Sequence, residues 1–291
     1  MTIYNLGSIN IDMVYRLPHF PMPGETLAAR DYTQGLGGKG ANMSVAAARG
    51  AARVRHIGAV GTDGRWTVQR LLEYGVDTMH ITELDAATGH AIINVDDAAE
   101  NAIVLWPGAN ALVDAAQIGR ALSEANTGDI LVMQNETSGQ ADAAQMAKDL
   151  GMRVIYAAAP FDADAVQAVL PFVDLLFLNE VEAAQLEQAT GQAANALDTD
   201  DVIVTLGAKG CRWYQNSANL ETDFDAIKVE PVDTTGAGDT FTGYVVAGLD
   251  RGLPLAQAIN LATQAAALMV TRHGTADVIP DLKEIQDARF S

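Results

Sequence analysis

Two short stretches crowd glycine, aspartate, lysine and asparagine together: GLGGKGAN at 35–42 and DTTGAGDT at 233–240. After the second, Phe241, Val245 and Leu249 recur at i, i+4 and i+8, one face of a helix, so Gly236, Ala237 and Gly238 fall at a helix N-terminus. The first N–H groups of a helix have no internal partner, and small side chains leave them open to approach. With the positive end of the helix dipole behind them they form an anion site, and Asp239 stands at its edge.

The first stretch is not a phosphate-binding P-loop, because Lys39 is followed by Gly40 rather than Ser or Thr and Thr33 occupies the position of the leading glycine. Nor does any GxGxxG follow a strand and open a helix as a dinucleotide fold requires. Alone, GLGGKGAN reads equally as a glycine turn with an exposed lysine. Placed beside Asn10 and Asp12, read at the end of the first strand, and Glu136, just after another strand, it belongs to a set of amides, carboxylates and one ammonium. Such a set suits a polyhydroxylated ligand at the carboxyl edge of a parallel sheet and lacks the apolar lining of a greasy pocket.

The elements that must position these groups are legible as apolar runs of strand length at 3–6, 54–60, 130–134, 154–157, 175–178 and 202–205. Helical patterns at 43–49, 114–125, 140–150 and 180–190 alternate with them, and Thr62-Asp63-Gly64 precedes another helix carrying Val68, Leu71 and Leu72. Strand then helix, repeated, predicts an α/β fold with a mainly parallel central sheet and helices on both faces. Segments 13–34 and 88–106 break the rhythm with prolines and alternating apolar positions, and are expected to form a small inserted β lid on a single unit spanning 1–291.

With 37 acidic against 18 basic residues the net charge is −19, a field that repels nucleic acid and anionic membranes. No apolar stretch approaches the roughly 20 residues of a membrane span. The first strand starts almost at Met1 with no export pattern before it, and the single cysteine excludes an internal disulfide, so a cytoplasmic location is expected. The five histidines show no metal-ligand spacing, and Cys211, beside Trp213, reads as a core residue.

GGKGAN at 37–42 and DTTGAGDTF at 233–241, with NLGSINID near the start and VTRHG ending at Gly274, resemble the ribokinase-like (PfkB) carbohydrate kinase family over nearly the whole chain. The resemblance implies a three-layer sandwich and an ATP-dependent kinase for the terminal hydroxymethyl of a pentose, D-ribose first. It makes Asp239 the base, with the N–H groups of Gly236, Ala237 and Gly238 on the transferring phosphoryl group. By the same resemblance Asn10, Asp12, Gly38, Lys39, Asn42 and Glu136 hold the sugar, while Asn179, Thr205, Gly207, Gly210 and Gly238 hold the nucleotide. Glu182 orients water around Mg²⁺, and Asp233, Thr235 and Gly274 hold an activating K⁺. It also implies a homodimer joined through the lid, which the apolar Ile92, Ile93, Ile103 and Val104 favour.

Capping is the competing explanation for Asn179 and Glu182, since NxxE opening a helix also satisfies orphan N–H groups. The chain departs from the family pattern at Ala157-Ala158-Ala159-Pro160, where Asn-Pro-Ala-Pro is common, at Val278, where a small polar side chain is expected, and in a shortened 191–200. Two other readings stay open: a related kinase for another sugar, a sugar acid or a nucleoside, and a sugar-binding sensor without catalysis.

Overall fold

The computed structural model describes residues 1–98 and 100–290. The strands, in chain order, are β1 (Ile3–Leu6), β2 (Asn10–Arg16), β3 (Asp31–Gly37), β4 (Val54–Val60), β5 (Asp77–Glu83), β6 (Gly89–Val95), β7 (Asn101–Trp106), β8 (Ile130–Gln134), β9 (Arg153–Ala157), β10 (Leu175–Asn179), β11 (Asp201–Thr205), β12 (Cys211–Gln215) and β13 (Leu220–Phe224). The helices are α1 (Lys39–Arg49), α2 (Arg65–Glu73), α3 (Ala115–Leu122), α4 (Gln140–Asp149), α5 (Ala163–Val169), α6 (Glu180–Thr190), α7 (Ala237–Asp250), α8 (Leu255–Met269) and α9 (Leu282–Asp287).

Nine strands make the large sheet in the order β13-β12-β11-β10-β9-β8-β1-β4-β5. It is parallel from β5 to β11, and β12 and β13 close one edge antiparallel. Strand side chains alternate between faces, and the core follows that period: Ile130 and Val132 pack with α1, α7 and α8, whereas Leu131 and Met133 pack with α3 and α4 on the other face. The result is the expected three layers.

Both irregular segments enter one four-stranded sheet, β3-β2-β6-β7, in which β2 runs antiparallel to β3 and parallel to β6. Its extent differs from the expectation, because β2 already begins at Asn10 and β3 reaches Gly37. Asn10 and Asp12 therefore lie on the lid, not at the end of the first strand, which stops at Leu6. The expected turn between β6 and β7 includes Ala99, which is outside the described residues.

A second correction concerns α1, which starts at Lys39 instead of residue 43. Glycine is a poor helix former, but here it serves packing: a Cβ on Gly40 would strike the backbone of Gly7, and one on Gly7 would lie 2.6 Å from the Gly40 Cα. Gly38, at φ 94°, turns the chain into the helix, and its missing Cβ leaves room for the Ser8 carbonyl and the Asn10 N–H.

Candidate active site

The residues between β1 and β2 meet the start of α1 and the end of β8. Ser8 Oγ donates to Glu136 Oε2 and accepts the Gly40 N–H at 3.2 Å, while Glu136 Oε2 also accepts the Lys39 N–H at 3.1 Å. The Ser8 carbonyl takes the Ala41 N–H at 2.9 Å. The first turn of α1 is thus satisfied by a distant serine and glutamate rather than by a residue of its own, since Gly38 has no side chain to cap with. At the end of the same turn, Asn42 donates its amide to Asp239 Oδ2 at 2.9 Å, joining the first turns of α1 and α7.

The lid supplies the opposite wall. Asn10 Oδ1 accepts from Asn110 at 2.8 Å, and Asn110 Oδ1 accepts the Ile9 N–H at 2.9 Å, so Asn10 is held by a residue with no expected role. Asp12 pairs in register with Gly35 on β3 and Ala91 on β6, and any Cβ on Gly37 would run into its carboxylate. Burial, then the nearby Glu136 and Asp239, push the Asp12 carboxyl up to about 7. The Asp239 charge raises the Lys39 ammonium, burial opposes that, and Glu136 and Glu182 add to it. Burial raises Glu136, with Lys39 and Ser8 pulling it back. One half-buried ammonium therefore stands in the shared field of three carboxylates, Asp239, Glu136 and Glu182, with the buried Asp12 close to two of them, an arrangement that favours further positive charge or a neutralising proton.

Gly236 takes a left-handed conformation, φ 75°, to open α7, and an added Cβ would press on Met269 at 3.1 Å. Nothing lies within 4 Å of the place a Gly238 Cβ would take, so this helix end has an open face. The Ala237 N–H turns back to the Thr234 carbonyl at 3.2 Å, whereas those of Gly236 and Gly238 have no acceptor among the described residues. Beside them Asp233 accepts the N–H of Thr235 at 2.9 Å and of Gly274 at 3.3 Å, bringing the three expected cation residues together.

The sequence that builds this sheet edge matches the model of the pfkB family carbohydrate kinases over residues 2–282. The chain belongs to this family of phosphotransferases. It is 37% identical over 298 residues to the ribokinase of Haemophilus influenzae, covering 97% of this chain and 96% of the relative. Its fold superposes on the crystal structure of Thermotoga maritima ribokinase with a TM-score of 0.87 at 32% identity, over 98% of each chain. Arabidopsis thaliana ribokinase, solved in complex with ribose and ATP, superposes with a TM-score of 0.83 at 26% identity, over 98% of this chain and 97% of that one.

In this pfkB-family kinase the residues expected to meet the nucleotide stand further along the same edge. Asn179 and Thr205 are register partners at the ends of β10 and β11. Asn179 and Glu182 form a complete capping box, with both bonds at 2.8 Å, so the capping explanation holds for both. Burial nevertheless raises the Glu182 carboxyl, and Lys39 and Asp239 both act on it. Gly207 opens a short turn with space around it, while Gly210, at φ 101°, is packed against the Phe224 carbonyl. Ala159-Pro160 is a cis peptide, and Val278 lies against Gly274 where a polar group was expected. Ser8 and Asn110 were not foreseen. Ser8 could have been, as the lone hydroxyl between Gly7 and Asn10 in NLGSIN, whereas Asn110 carries no local signal.

Proposed function

We propose that this pfkB-family kinase transfers the γ-phosphoryl group of ATP to the terminal hydroxymethyl of a pentose, D-ribose first, giving D-ribose 5-phosphate and ADP. The observation that carries the reading is the buried Asp239 in the first turn of α7, held by Asn42 at 2.9 Å beside open backbone N–H groups. Asp239 takes the proton of the acceptor hydroxyl as that oxygen attacks the γ-phosphorus in line with the departing ADP. The N–H groups of Gly236 and Gly238 meet charge on the transferring oxygens, and that of Ala237 joins them once released from Thr234. Asn10 and Asp12 on the lid, with Gly38, Lys39, Asn42 and Glu136 below, bind the ring hydroxyls. Closure of the lid over them excludes water that would otherwise compete as acceptor.

Asn179, Thr205, Gly207 and Gly210 line the nucleotide end. Mg²⁺ would neutralise the phosphate oxygens, and Glu182, with Oε2 on the Asn179 N–H and Oε1 left free, fits a role in holding its water. The Asp233 carboxylate and the carbonyls of Thr235 and Gly274 form an oxygen-rich set suited to K⁺, although Val278 adds no donor. The lid edge would pair with a second copy, and the enzyme would work in the cytoplasm. The deciding experiment is ADP release with ATP, Mg²⁺ and K⁺ on D-ribose against a panel of pentoses, hexoses and nucleosides. Strong turnover on D-ribose supports the reading, and turnover only on another acceptor overturns the substrate assignment.

A further inference from the structure

Four fully buried polar side chains lie beneath the sugar-binding elements: Asn5 on β1, Ser44 on α1, His56 on β4 and Gln134 on β8. Gln134 Nε2 donates to Asn5 Oδ1 at 2.9 Å, and Asn5 Nδ2 donates to both the Gly40 carbonyl and Ser44 Oγ at 2.7 Å. Ser44 Oγ lies 2.8 Å from His56 Nδ1, and His56 Nε2 lies 3.0 Å from the Gly7 carbonyl. A carbonyl can only accept, so Nε2 carries the proton; burial holds the imidazole at about 4 and the ring is neutral, leaving Nδ1 to accept from the Ser44 hydroxyl. Every donor then points one way along the chain of bonds.

It starts at Gln134 and finishes on two backbone acceptors, the carbonyls of Gly40 and Gly7, the pair of glycines whose backbones touch. Gly7 leads into Ser8, Asn10 and the lid; Gly40 follows Lys39 and precedes Asn42; Gln134 ends the strand before Glu136. We propose that Asn5, Ser44, His56 and Gln134 are positioning residues that fix the β1–β2 connection, the start of α1 and the end of β8 in the register sugar binding requires. Among the described residues, none of their side-chain hydrogen bonds reaches the elements at the nucleotide end, β10 and β11. Apolar side chains would fill this space without the desolvation cost of four buried polar groups, so what the polar network adds is a fixed register of the two backbones.

The proposal rests on the kinase reading above, and its test separates the two. Steady-state constants for D-ribose and for ATP are measured on Ser44→Ala and on Gln134→Met, which keeps volume while removing the donor, after circular dichroism shows each to be folded. KM for D-ribose is expected to rise about tenfold in each while KM for ATP stays within about twofold, because the broken bonds loosen only the sugar-side register. Loss of stability alone lowers the active fraction and leaves both constants unchanged. An unchanged D-ribose KM in either folded variant, or equal rises for the two substrates, overturns the positioning role. If the wild-type protein turns over another acceptor instead of D-ribose, the substrate reading fails and the same constants are read on that acceptor.

Discussion

Asn42 and Asp239 meet side chain to side chain at 2.9 Å, each buried and each in the opening turns of its helix. The amide can only donate to the carboxylate, which orients one Asp239 oxygen and, in the proposed reaction, leaves the other for the acceptor hydroxyl. Asn42 Oδ1 has no partner among the described residues, although it is buried. A buried acceptor without a donor is costly, and a sugar hydroxyl that donates its proton to Asn42 Oδ1 would satisfy it, leaving Asp239 to take the proton of a different hydroxyl.

Asp239→Asn keeps the shape of the side chain and removes the base. Its kcat is expected to fall by about 10³-fold, the scale of general base catalysis, while sugar binding measured by calorimetry persists. Turnover near the wild-type rate would remove Asp239 from the chemistry.

Asn42→Ala removes both the orienting bond and the acceptor. KM for the sugar should rise and kcat fall, together lowering kcat/KM by roughly 10- to 100-fold, the cost of one or two buried hydrogen bonds to a charged or reacting group. KM for ATP should not move. A variant impaired only toward ATP would show that Asn42 serves the nucleotide side.

Much of this arrangement was legible because it is local. Asp233 through Thr240 announce a helix end, and the runs from Ile3 to Thr205 announce a parallel sheet, since each signal lies within a few consecutive residues. What stayed hidden depends on contacts between distant segments. The start of α1 was misplaced because Gly40 looks like a loop residue until Gly7 is packed against it. Asn10 and Asp12 moved to the lid because three residues, Gly7, Ser8 and Ile9, are enough to leave one sheet and enter another. Asn110 and His56 act across 100 and 49 residues of sequence, and no spacing rule reaches that far.

The edge of the lid bears on assembly. Along β7, Ile103, Val104, Leu105 and Trp106 are each at least half exposed, from 50 to 61%. An exposed apolar edge strand is a template for pairing. Val104→Lys combined with Ile103→Glu is expected to convert a dimer to a monomer in light scattering and to raise KM for the sugar. A wild-type protein that is already monomeric at micromolar concentration would refute pairing through this edge.

Monovalent cation dependence tests the loop around Asp233. Exchanging K⁺ for a bulky organic cation is expected to lower kcat several-fold, and Asp233→Ala should sit at the lowered rate with no response to K⁺. The carboxylate also ties Thr235 to Gly274, so circular dichroism and the KM for the sugar serve to separate cation binding from loop disorder. Equal rates with and without K⁺ in the wild type would leave Asp233 a purely structural tie.

Asp12 gives the sharpest dependence on pH. Its carboxyl titrates near 7 in the folded protein, raised by burial and by the Glu136 and Asp239 charges, against an ordinary value of 3.8. The folded state therefore binds this proton more tightly than the unfolded chain. The associated stability is complete below about pH 4 and is lost as the pH rises through about 7. Glu136 and Glu182 are raised as well and add to the same slope, so the melting temperature of the sugar-free protein should fall between pH 5 and pH 8 more steeply in the wild type than in Asp12→Asn. Sugar binding has the opposite dependence. A carboxylate accepts hydroxyl protons at both oxygens only when ionised, so KM for the sugar should drop as the pH rises from 6 to 8. In Asp12→Asn that drop should flatten at a weaker overall affinity, and a variant that keeps the wild-type pH profile would show that the titrating group is elsewhere.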